Sequence, residues 1–273
     1  PYIEEAPLYD VIRSGNPAGG VAPLGPVGWG QWKGWNVNVP ALQCPSEITS
    51  LALRSLNNHS GQNNYCFSRG DSIFNNRDSK TTRGVFSFSI GTTIAEIADG
   101  TSNTIAMSER VRSQEQGIGV NPRPTIKEGT VTGFANLNTN PATNPGSCLA
   151  TANGAFYITP GAVKCRFGVL WTDGQPERTG FTTVMPPNGP SCTGDANVNA
   201  DCKSGVYAPS SFHPGGVNGV MCDGSVRFIS DSINTGNLGL PEARNGPSPY
   251  GVWGAMGSKS GGEGMNNGAN SYQ

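Results

Sequence analysis

Two histidines, His59 and His213, and seven cysteines are the residues of this chain best suited to chemistry. His213 stands in "SFHPGGVNGVMCDGSVRFISDSI" (211–233), with nine residues between it and Asp223-Gly224. A histidine and an aspartate can work as an acid–base pair only if the fold brings them within hydrogen-bond reach. The intervening pattern argues against that. Val217, Val220 and Met221 supply the apolar positions of a strand, and Asp223-Gly224 is a strong hairpin signal, with a type I′ turn needing positive φ at both positions. Ser225–Ile229 reads as the return strand, with Val226 and Phe228 on one face. An extended chain advances roughly 3.3 Å per residue, so the two side chains should lie on the order of 20 Å or more apart. The spacing is architectural: His213 is expected as a buried or turn-capping histidine bonded to backbone, and Asp223 as a turn former.

Other chemistry is thinner. "CTGDANVNADC" (192–202) sets Asp195, Asn197, Asn199 and Asp201 at alternate positions, as at the start of a calcium loop, but Ala200 stands where an EF-hand has glycine and Val206 where it has its last acid. A polar loop closed by a Cys192–Cys202 disulfide is the alternative. By closeness in sequence, Cys148–Cys165 and Cys44–Cys66 follow as pairs, and Cys222, inside the strand pattern, is the odd thiol, packed as a small hydrophobe. No C-x-x-C pair is present, which removes zinc-ribbon and thioredoxin-like readings. Glu96, Asp99 and Glu109 could be imagined as a glycosidase pair, but acids near strand and helix ends are read as solvated or turn-forming. A G-x-S-x-G elbow is absent. "GNPAGG" (15–20) lacks the helix and lysine that phosphate binding needs. Trp29, Trp32 and Trp35 suggest either packing under a loop or an exposed platform for a sugar or a neighbouring subunit. Asn58-His59-Ser60 fits a short glycosylation sequon.

The elements that must position these residues are short. Of 273 residues only 14% are charged and the net charge is −1, so no basic stripe for nucleic acid or an anionic membrane exists. The 39 glycines and 21 prolines suit many strands joined by turns. Low charge and many cysteines point to an exported protein with disulfides. A short helix is expected over 1–12, strands over 63–70 and 84–91, and a helical turn from 92 that breaks at Asp99-Gly100 and yields to a strand over 104–111. Strand-and-turn character resumes in 168–174 and 180–192. Residues 112–165 read as a long irregular surface insertion in one compact domain, and the Gly- and Asn-rich tail from about 257 as mobile. No apolar run is long enough to span a bilayer. The start at Pro1-Tyr2-Ile3, with no export signal, suggests an upstream segment.

Several stretches together resemble one family. "HPGGVNGVMCDGSVRFISDSI" is similar to the C-terminal signature of the prepilin-type processing-associated H-X9-DG proteins, in which His213, Asp223 and Gly224 are the named positions. "PYIEEAPLYD", "ALQCPSE", "NNYCFSRG", "IADGTSNTIAMSE", "LWTDG", "TVMPPNGPSC" and "GAMGSKSGGE" resemble segments of that family in the same order. The resemblance implies the globular head of a type IV pilin-like protein whose N-terminal helix is absent from this chain, anchoring a subunit in a membrane or a filament core. It implies no catalytic residues. Cys66 and Cys222 depart from the small or apolar residues expected of the family. The resulting expectation is an α+β, strand-rich head with an antiparallel sheet, a non-enzymatic structural subunit of a surface filament or secretion assembly. It would be exported to the cell surface or beyond, self-associating, and bound to no nucleic acid. The competing class is an extracellular module recognising glycan or another ligand.

Overall fold

The computed structural model describes residues 2–30, 32–48, 61–113, 117–118, 123–196 and 201–263. Its architecture is α+β, with few helices and, among the described residues, two five-stranded mixed sheets and one two-stranded ribbon. Helix α1 (Ala6–Ser14) buries none of its side chains. The first sheet is built from β1 (Tyr65–Ser68), β2 (Ile105–Glu109), β8 (Gly180–Phe181), β11 (Gly216–Met221) and β12 (Val226–Ser230), in the order β12-β11-β2-β1-β8. All neighbours are antiparallel except β1 and β8, which run parallel with Phe67 opposite Gly180. The second sheet takes β10 (Gly205–Val206), β9 (Ser191–Thr193), β4 (Thr130–Val131), β7 (Val163–Cys165) and β3 (Gly117–Ile118), with β4 and β9 parallel. Strands β5 (Ala152–Asn153) and β6 (Phe156–Tyr157) form the ribbon.

Alternation along the first sheet sorts its residues. Val220 faces Met107 and Met221 faces Ile105, so Ala106 is the extra residue of a β-bulge. That shift lets Ile105 and Ser108, of opposite parity, both point inward. Cys66, Ile105, Val217, Met221 and Ile229 pack with Phe167, with Phe181, and with Trp253 from the helix Gly251–Gly257. Tyr65, Phe67, Met107, Val220, Val226 and Phe228 take the alternate positions and form the outer face.

The hairpin expected at Asp223-Gly224 is present, with a different turn. Gly224 N–H donates to Met221 O at 3.0 Å and Met221 N–H to Ser225 O at 2.8 Å, and Gly224 alone in the turn has positive φ, at +86°. This is a type I-like turn followed by a left-handed glycine bulge, not type I′. Asp223 accepts from both the N–H and the hydroxyl of Ser225, closing the turn from outside.

Three further expectations are corrected. Residues 84–91 form turns with a single bridge, Ser87 to Ile90, because Gly84 N–H and Phe86 N–H bond back to Arg69 O and Ser68 O and Ser89 takes φ +54°. The described residues of 112–165 are not a surface excursion. Their Val131, Leu137, Ala142, Cys148, Tyr157, Val163 and Cys165 join Val184, Met185, Cys192 and Val206 in the larger core. The tail is anchored as far as it is described: Asp99 stands in the turn expected at Asp99-Gly100 but is buried rather than solvated, and it accepts from Gly261 N–H at 2.5 Å and Gly262 N–H at 2.8 Å.

Disulfide connectivity also differs. Cys148, on the 3₁₀ turn Pro145–Thr151, bonds Cys192 of β9, which replaces the expected Cys192–Cys202 and Cys148–Cys165 pairs. Cys44 and Cys66 are unbridged as well. Cys66 points into the core, with its Sγ against Ser108 O, while Cys44 stays near the surface. Cys222 is unbridged, as expected, but it is not the one odd thiol, and it stands half-buried in the turn after β11 rather than packed inside the strand.

Candidate functional site

The chemistry-bearing residues that the fold gathers come from three separate segments. Cys44 follows the 3₁₀ turn Pro40–Leu42, Glu109 ends β2, and His213 precedes β11. Their ligand atoms all lie within 4.8 Å of one another. His213 Nε2 is 3.2 Å from Glu109 Oε1, and Cys44 Sγ is 3.9 Å from the same oxygen. Glu109 was expected as a solvated acid; it is buried and is the centre of the group.

Antiparallel pairing explains how this forms. Gly219 opposite Ser108 brings Asn218 beside Glu109. Asn218 N–H donates to Oε2 at 2.9 Å and Asn218 Nδ2 to Oε1 at 3.1 Å, which fixes the carboxylate plane. Ser211 holds the turn before β11, accepting from His213 N–H at 3.1 Å and donating to Gly216 O at 2.7 Å. His213 is therefore bonded to a carboxylate and only half-buried, not capped by backbone. Asp223 lies at the other end of β11, where its N–H bonds Thr101 O, so the pair does not meet.

On the facing side, Asn64 accepts from Cys44 N–H at 3.0 Å and donates to Glu47 Oε2 at 2.7 Å. Glu47 also accepts from Arg112 N–H at 3.0 Å and lies 3.7 Å from Arg112 Nε. Cys44, Ser46, Asn64, Glu109, Ser211 and Phe212 line a surface pocket over the group. Burial raises the Cys44 thiol above its ordinary value, and Glu109 and Glu47 add to the shift against the hydrogen bonds from Ser46. A nucleophilic cysteine needs the opposite, a thiolate favoured by positive surroundings with a base beside it. Here the carboxylate, rather than the imidazole, sits between the other two. The set S, N and O is instead a donor set for a borderline cation.

The remaining candidates are dispersed. Asn197 and Asn199 of the possible calcium loop lie outside the described residues, as do His59 and the sequon. Asp195 accepts from Asn138 Nδ2 at 2.9 Å and Lys203 N–H at 3.1 Å. Asp201 binds Arg166 at 2.6 Å, with Arg178 at 3.6 Å. Both carboxylates are engaged by protein donors. Trp32 and Trp35 are buried edge-to-face at 4.9 Å, and Trp35 meets Trp171 at 5.9 Å. Only Trp29 of the expected platform is exposed.

The sequence shows Glu109 as an acid at a strand end but not its burial or its partners. A signal existed: Cys44, Glu47, Asn64, Glu109 and His213 each lie in one of the stretches "ALQCPSE", "NNYCFSRG", "IADGTSNTIAMSE" and "HPGGVNGVMCDGSVRFISDSI". Four segments that are dispersed in sequence converge on one pocket.

Residues 1–236 match a family model described as "Protein of unknown function (DUF1559)". No curated protein and no solved structure matches the chain.

Proposed function

The chain belongs to the DUF1559 family, and from that premise we propose that it is an exported, pilin-like structural subunit that packs against copies of itself through the outer face of its first sheet. The observation that carries this reading is a row of apolar side chains across four strands. Phe67 stands opposite Met107, Met107 opposite Val220, and Val220 opposite Val226. Phe228, one pleat along the same face, is 54% exposed and Val226 65%. Phe86 lies edge-on against Phe67 at 5.0 Å and is also exposed.

Contiguous apolar surface of this kind marks association sites. Burying one such valine or phenylalanine fully contributes about 1.5–3 kcal/mol. Strand β12 is an edge, and an edge with unpaired backbone groups invites another chain. The low charge leaves little repulsion between copies. The Cys148–Cys192 disulfide is consistent with an oxidising, extracytoplasmic setting. The H-X9-DG resemblance supports a pilin-like role. In this reading the signature is structural: its histidine bonds Glu109 and its Asp-Gly turns the hairpin. We assign the head no catalysis, because the resemblance brings no catalytic residues with it and burial raises the Cys44 thiol, the reverse of what a nucleophilic cysteine needs.

Imaging of native material tests the reading. Ordered filaments or arrays with this chain as the repeating unit are expected. Native material in which the chain occurs only as a dispersed monomer contradicts it.

A further inference from the structure

We propose that Cys44, Glu109 and His213 form a binding site for a zinc-class divalent cation, coordinated by Cys44 Sγ, Glu109 Oε1 and His213 Nε2. Zinc takes sulfur at about 2.3 Å, and nitrogen and carboxylate oxygen at about 2.0–2.2 Å, in a tetrahedron. Those bonds require ligand–ligand edges of roughly 3.3–3.6 Å. The N–O and S–O edges are 3.2 and 3.9 Å, and the third pair lies within 4.8 Å. The N–O edge already fits, the S–O edge must shorten by about 0.3 Å and the S–N edge by up to roughly 1.2 Å, which side-chain rotation supplies, and three protein ligands leave one position facing the pocket.

Support around the ligands has the form a metal site needs. Asn218 holds both oxygens of Glu109, Asn64 holds the Cys44 backbone, and Ser211 holds the turn that carries His213. Outer partners of this kind orient the ligands. Glu47 adds a second buried carboxylate on the pocket wall. His213 and Cys44 both reach the surface, so an ion has a way in. On binding, the Cys44 thiol releases its proton to solvent and His213 coordinates as neutral imidazole with its remaining proton on Nδ1. Oxygen-preferring calcium and magnesium do not suit a thiolate and imidazole. The ion would clamp the segment before β1 to β2 and to the loop leading into β11.

The test uses the full chain, disulfide intact and stripped with chelator, titrated calorimetrically with zinc and spectroscopically with cobalt(II). One zinc per chain and a thiolate-to-cobalt charge-transfer band are expected, with no competition from calcium. Cys44→Ser and His213→Ala should each weaken zinc more than the roughly 10–100-fold loss typical of an outer partner, and Asn218→Ala should fall within that range. If a variant fails to fold, the cobalt band of the wild type still reports the sulfur ligand. No zinc uptake, a cobalt spectrum without the thiolate band, or unchanged affinity in folded Cys44→Ser and His213→Ala overturns the proposal.

Discussion

Glu109 Oε1 accepts from His213 Nε2 at 3.2 Å, joining the end of β2 to the turn that launches β11. The same carboxylate takes two donors from Asn218. Glu109→Gln would place an amide NH₂ against at least one of these donors and leave it unpaired in a buried site. A loss of about 1–3 kcal/mol is expected. Asp223→Asn, in an exposed turn where the side-chain carboxylate accepts from Ser225, should cost less. Denaturant unfolding of the two variants checks the order, and an Asp223→Asn effect equal to or above that of Glu109→Gln would refute it.

Reduction of Cys148–Cys192 should destabilise the chain. The bond spans 44 residues, and a loop of that length corresponds to about 4 kcal/mol of denatured-state entropy. Peptide mapping without reduction should recover the 148–192 linked fragment. A 192–202 fragment would instead restore the pairing expected from sequence proximity.

Glu242 gives a pH dependence of known sign. It accepts from the N–H groups of Ile73, Phe74 and Ala142, and burial raises its carboxyl above the ordinary value despite those bonds. A raised folded value means the native state holds the proton more tightly than the unfolded chain. Its contribution is therefore fully present below the ordinary carboxyl value of about 4.3 and is lost as pH rises through the folded value. The stability of wild type relative to Glu242→Gln should thus be greatest at low pH and shrink as pH rises above about 4. Melting curves of both proteins across that range decide it; a gap that widens with rising pH contradicts the assignment.

Millimolar calcium should leave the melting temperature unchanged, since Asp201 is bound to Arg166 and Arg178 and Asp195 to Asn138. A rise that disappears in Asp195→Ala with Asp201→Ala would show that the loop does bind the ion.

Local signals in the sequence were followed by the chain where one element decided the outcome. Asp223-Gly224 between alternating strands foretells the hairpin, and 104–111 foretells β2, because turn chemistry and period-two patterning act within a few residues. Residues 112–165 concealed their role because their strands are two or three residues long, too short to show a period. The pairing of Cys148 with Cys192 depends on how a 3₁₀ turn meets β9, which spacing does not encode. Glu109 looked like any acid at a strand end. Its burial is decided by Asn218 and His213, more than a hundred positions away.

In the proposed assembly the outer face of the first sheet joins copies of this chain. The most direct measurement compares assembly of the wild type with that of Val226→Glu/Phe228→Glu, by sedimentation and imaging. Both side chains are exposed, so the melting temperature should stay within the small range usual for surface changes. The variant should fold as the wild type does and fail to assemble. Assembly of the folded variant at wild-type yield would contradict the proposal.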